Sequence, residues 1–112
     1  MERDELEKMT REYQQMQEQL QQLSVQREQF SSQKEELKEA AAEIEKSTGK
    51  IYLAVGGIMV DVGKESASKN VGERQESADM RITILTKQID ELSKKEKTMR
   101  EDLTKALKDI KQ

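Results

Sequence analysis

Residues 51–62 read IYLAVGGIMVDV, the one apolar stretch in a chain otherwise made of charge and glutamine. Two alternating runs flank Gly56-Gly57. A Gly-Gly pair between such runs is the pattern of a two-residue β-hairpin, because the tight turn needs a positive φ that glycine adopts without strain. The turn dictates the pairing: Val55 faces Ile58, Leu53 faces Val60, and Ile51 faces Val62. These six apolar residues share one face of the ribbon. The other face sets Tyr52 against Asp61 and Ala54 against Met59. A lone two-stranded hairpin is marginal in water, and this one has two open edges.

Outward from the hairpin lie two polar arms. On the N-terminal side, Leu6, Met9, Tyr13, Met16, Leu20, Leu23, Phe30, Leu37, Ala41 and Ile44 follow a 3,4 spacing, with Arg27 and Lys34 in the two seam positions between them. A period near 3.5 keeps one helix face on one partner, as in a coiled coil. No Pro or Gly interrupts residues 1–48. A helix over residues 2–46 is expected, roughly 65 Å long, with Gly49 placed to cap its C-terminus. The second arm repeats the seam in Val71, Ala78, Ile82, Leu85, Ile89, Leu92, Met99, Leu103, Ala106 and Ile110, interrupted by Gln75 and Glu96. Ser66 is its candidate N-cap, and Gly72 should weaken its first turns.

Arms of equal length joined by a short segment should fold back on each other. The expected fold is mainly α: a long antiparallel two-helix coiled-coil hairpin with one central β-hairpin that drives assembly. It forms one domain, divided into a helix at residues 1–48, the hairpin at 49–64 and a helix at 65–112. Matching the ends sets Leu6 opposite Ile110 and Ile44 opposite Val71. Lys34 and Glu96 then lie at different levels, as register markers or exposed positions and not as a buried ion pair.

Composition narrows the function. Of 112 residues, 38% are charged and 33% hydrophobic. Globular domains carry about 45–50% apolar residues, so long helices with narrow seams fit better than a compact core. The chain has no Cys and no His, which removes thiol chemistry, disulfides, the commonest zinc ligands and the usual general base. No metal or cofactor is expected. The lack of Cys suits a reducing cytosol. No apolar run approaches the ~18 residues of a membrane span, and MERDELEKM at the start lacks the apolar core of a signal peptide. Twenty basic and 23 acidic residues leave a net charge of −3. The basic excess in residues 82–112 is small and interleaved with acids, which disfavours nucleic acid as a partner. Gly63-Lys64 does not make a phosphate loop, because Ser66 falls one residue late, after Glu65. The carboxylates read as solvated helix faces, with no pocket-forming core to shift them for catalysis. Enzymatic activity is not expected.

The apolar face of the hairpin finds no cover within its own chain, because both arms use their seams on each other. Neighbouring chains must supply it, by strand addition and face-to-face packing. A hairpin that only linked two helices would not need six aligned apolar residues. At the far end, fraying exposes Leu6, Met9, Tyr13, Leu103, Ala106, Leu107 and Ile110. Leu107 widens the apolar strip, while Met9, Met16 and Met99 repack easily, which suits promiscuous contact. On periodicity alone these residues read equally well as coiled-coil core.

A heptad helix, then GKIYLAVGGIMVDVGKE at residues 49–65, then a second heptad helix of equal length resembles prefoldin of the β type, in an archaeal-like form without tails. Tyr52, Gly56-Gly57, residues 58–62 and Lys64-Glu65 match the family's Tyr-bearing strand, Gly turn, alternating apolar strand and charged start of the second helix. One hairpin between the arms, not two, points to the β type over the α type. The doubled turn glycine, Gly63, Gly72 and the polar run after the hairpin depart from the pattern, as in a divergent paralogue. The resemblance implies a hetero-hexamer with prefoldin α-type subunits and further β-type copies, its coiled-coil arms hanging from a β-barrel hub. It implies an ATP-independent chaperone in the cytosol that captures unfolded polypeptides and delivers them to a group II chaperonin. By position, Leu6, Met9, Tyr13, Leu103, Ala106, Leu107 and Ile110 would bind clients, and Ile51, Leu53, Val55, Ile58, Val60 and Val62 would build the hub. The competing reading is a passive coiled-coil tether that binds one specific partner helix.

Overall fold

The computed structural model describes residues 2–111. The element order is α1 (Arg3–Lys46), β1 (Tyr52–Val55), β2 (Ile58–Asp61) and α2 (Gly63–Lys111). The chain is mainly helical, two long helices joined through one antiparallel β-hairpin, as the spacing of its apolar residues predicts. Two compact units result. Glu28–Thr83 form the hairpin unit, and the residues up to Arg27 with those from Ile84 onward form the terminal unit.

In the hairpin unit, Tyr52 pairs with Asp61, Leu53 with Val60, Ala54 with Met59 and Val55 with Ile58. The Val62 amide donates to the Ile51 carbonyl at 3.0 Å, continuing the register by one pair. Gly56 takes φ +61° while Gly57 stays at negative φ, the pattern of a type II′ turn. Gly63 takes φ +74° and turns the chain from β2 straight into α2. The second helix therefore begins three residues ahead of Ser66, which sits inside the first turn and not at its cap.

The end of α1 also differs from expectation. The helix stops at Lys46 with a tight last turn, the Ser47 amide donating to the Ile44 carbonyl at 3.2 Å. Gly49 lies beyond it without a left-handed φ and does not cap. Lys64 supplies the cap from across the hairpin: its Nζ donates to the Glu45 carbonyl at 2.8 Å. An ammonium there satisfies a terminal carbonyl and opposes the negative end of the helix dipole.

Leu37, Ala67 and Ala78 are the buried residues of this unit. Phe30 lies under the Arg81 guanidinium, 5.4 Å from ring centroid to Cζ. Lys34 reaches Asp79 at 2.6 Å, with both side chains about half exposed.

In the terminal unit the helices again run antiparallel. Leu85, Ile89, Leu103 and Ala106 are buried along α2, and Leu20, Leu23 and Leu92 are half-buried between the helices. Arg27 Nη1 donates to Thr86 Oγ1 at 3.4 Å. The Tyr13 hydroxyl donates to Glu96 Oε1 at 2.8 Å. Arg100 reaches the same carboxylate oxygen at 3.4 Å, and Gln17 Nε2 donates to the Tyr13 hydroxyl at 3.2 Å. The polar seam residues Arg27, Lys34 and Glu96 thus each bond across to the other helix. Thr86 and Asp79 lie two or three residues earlier in α2 than matched arm ends would place opposite Arg27 and Lys34, within the reach of these long side chains.

Candidate functional site

Each unit carries one apolar surface. On the ribbon, Ile51 and Val62 at the helix side and Leu53 in the middle pair are half-buried. Val60, opposite Leu53, is exposed to 42%, and next to the turn Val55 and Ile58 are exposed further, Ile58 to 67%. The opposite face is no better covered: Tyr52, Ala54 and Met59 are exposed as well, Met59 to 65%. The physical reason is length. Four paired residues reach well past the helix ends, so only the base of the ribbon can lean on them. At that base Ile44, Lys46, Lys50, Ile51, Tyr52 and Met59 line an open groove of about 540 Å³. On the apolar face, the half-burial of Ile51, Leu53 and Val62 shows partial cover from within the chain, which sequence reasoning did not allow for.

At the terminal unit the seven candidate residues divide. Leu103 and Ala106 are buried between the helices as core. Leu6, Met9 and Tyr13 are half-buried. Leu107 and Ile110 are exposed by about half, 48% and 53%. Ile110 is thus exposed although it lies on the 3,4 seam. The apolar area offered to solvent here comes mainly from Leu107 and Ile110, with the edges of Leu6 and Met9 beside them.

Between the helices of this unit lie two grooves that periodicity alone did not reveal. In one, of about 520 Å³, Met9, Met16 and Met99 meet Lys94, Lys95 and Thr98, with Glu12 and Asp102 at its rim. The other, of about 380 Å³, is lined by Gln19, Gln22, Gln26 and Gln88 over Leu23 and Leu92. Lys95 borders both. The clue in the sequence was the run of glutamines beside the seam, but which of them share a wall depends on the register.

Among the described residues two groups are perturbed. The hydrogen bond to Glu96 raises the Tyr13 phenol above its ordinary 10.0, with burial and the Glu96 charge acting in the same direction. The hydrogen bond and charge of Asp79 raise the Lys34 ammonium above its ordinary 10.5. Among the described residues there is no cluster of acidic side chains that would hold a metal ion. Among these residues, too, no helix is long and apolar enough to cross a membrane.

Comparison with known proteins adds the following. The profile of the prefoldin subunit family matches residues 7–110. The crystal structure of the prefoldin beta subunit from Thermococcus strain KS-1 is similar at a TM-score of 0.83 and 27% identity, covering 92% of each chain. The prefoldin beta2 subunit from the same strain is similar at a TM-score of 0.60 and 26% identity, covering 86% of this chain and 97% of that one. No curated protein matches the chain.

Proposed function

The chain belongs to the prefoldin family as a chaperone subunit of the β type, and on that premise we propose that it captures non-native polypeptides without nucleotide and passes them to a group II chaperonin in the cytosol. It works as part of a hetero-hexamer with α-type subunits and further β-type copies. It catalyses no reaction and uses no cofactor. The observation that most supports this reading is the ribbon, bare on both faces toward its turn. Such a surface is marginal alone and favours neighbours that complete it.

In this reading Ile51, Leu53, Val55, Ile58, Val60 and Val62 form the hub around the Gly56-Gly57 turn. Leu107 and Ile110 are the principal client anchors, joined by Leu6, Met9 and Tyr13. Leu103 and Ala106 support them from the core. Weak apolar contacts on several arms give useful avidity without one tight site.

The test is light scattering of a chemically unfolded protein diluted into the chain with an α-type partner. Suppression of aggregation without nucleotide is expected. Replacing Leu6, Met9, Leu107 and Ile110 by Ser should abolish suppression while the particle keeps its mass. Aggregation that proceeds unchanged with the unsubstituted chain would favour the passive tether. For the hub, Leu53→Lys with Val60→Lys should release monomers in sedimentation, and an unaltered profile would refute the assignment.

A further inference from the structure

The groove of about 520 Å³ in the terminal unit gathers three methionines: Met9 and Met16, one heptad apart on α1, and Met99 from α2. Toward the hairpin the apolar seam residues of this unit are branched and aliphatic, with Leu20, Leu23, Leu85, Ile89 and Leu92. All three methionines are half-buried, so each thioether packs in the helix pair and also borders solvent. Lys94, Lys95 and Thr98 line the same groove and bring hydrogen-bond donors to its rim.

We propose that this groove is a peroxide-sensitive modification site, at which oxidation of Met9, Met16 and Met99 to sulfoxides loosens the terminal helix pair and weakens its hold on apolar chain segments. The second half of that statement rests on the chaperone reading, and the first does not.

The chemistry balances with a hydroperoxide as oxidant. A thioether lone pair attacks the nearer peroxide oxygen, the S–O bond forms and the O–O bond breaks. The proton on the transferred oxygen ends on the departing one, so hydrogen peroxide leaves as water. Sulfur loses two electrons and the peroxide gains them. The departing oxygen becomes negative as the bond breaks and takes its proton as it leaves; Lys94 and Lys95 can donate to it, while Glu12 and Asp102 in the same lining balance their charge. The product is polar and chiral where the thioether was apolar and flexible. A sulfoxide oxygen in a seam needs a donor or water. Lys95 offers one at the groove's rim, and solvent offers more once the helices part, so the oxidised state favours separation.

The experiment treats the full chain with graded hydrogen peroxide. Mass mapping follows each methionine, hydrogen exchange follows the two terminal helix segments, and suppression of aggregation is measured on the same samples. Met9, Met16 and Met99 should convert at doses that leave helix content intact, and exchange around them should quicken roughly tenfold. Suppression should fall several-fold. A Met9→Leu, Met16→Leu, Met99→Leu variant, judged against its own untreated sample, should show neither change. A Met59→Leu, Met80→Leu variant should respond as the parent does.

The proposal is overturned if the three remain thioethers after Met59 and Met80 have fully converted. It is equally overturned if they convert without quickening exchange, or if the triple variant loosens as much as the parent. Should the untreated chain suppress no aggregation, the chaperone reading fails, and the exchange data still decide the oxidation site.

Discussion

In the sequence Tyr13 is a regular member of the 3,4 seam, while Glu96 interrupts it. One is an aromatic seam residue with a polar tip, the other a carboxylate in an apolar series. Across the helices they answer each other, with the phenol donating to the carboxylate at 2.8 Å. Tyr13→Phe leaves a partly buried acceptor short of a donor, so thermal melting should shift down by a few degrees. The pH dependence has a definite sign. A raised phenol pKa means the folded state prefers the protonated form. The stability linked to it is complete below 10.0 and is lost as pH rises through the raised value. Melting curves above that pH should therefore fall less steeply for Tyr13→Phe than for the parent, and equal slopes would contradict the assignment. The 3,4 spacing made Tyr13 legible as a seam residue. Its partner was not legible, because cross-helix pairing depends on a level fixed elsewhere in the chain.

At the level of elements, the hairpin was the clearest part of the sequence. Gly56-Gly57 between alternating runs determines five pairs; four occur in the strands, and Ile51 and Val62 beyond them share one backbone hydrogen bond. The helix ends were obscure, because the decisive residues act through backbone conformation. Gly63 read as an oddity and proves to be the left-handed link into α2, while Gly72 lies within the helix where an added Cβ would meet nothing within 4 Å. Two alanine substitutions should therefore move in opposite directions. Gly63→Ala should destabilise by about 1–2 kcal/mol, and Gly72→Ala should stabilise by about 0.8 kcal/mol. Urea midpoints measure both, and a matching sign would show that α2 starts later than Gly63. Lys64 was read only as part of a charged segment, yet it caps α1 from across the ribbon. Lys64→Met should cost about 0.5 kcal/mol, less at high salt.

For the molecule as a whole, the family was legible from one feature, a single glycine-turned hairpin placed between two heptad arms. Coiled-coil composition alone would have matched many proteins. The grooves were not legible, because each is made by side chains of both helices and moves with their register. Sequence position likewise ranked Leu103 and Ala106 with Leu107 and Ile110, whereas packing separates them into core and surface. Purified alone and then mixed with an α-type subunit, the chain should show a particle of higher mass than a monomer, and a monomeric mass under both conditions would remove the basis for a hub.

A ribbon with Val55 and Ile58 open to water has a consequence for the cell that makes it. Any copy produced in excess of its companions presents adhesive strand edges, with Asp61 as the sole charged residue in the paired strands to discourage random pairing. Balanced production of the different subunits, or rapid proteolysis of the surplus, is then a requirement of the architecture. Overexpressing this chain without a companion should drive it into insoluble deposits, and co-expression should rescue it.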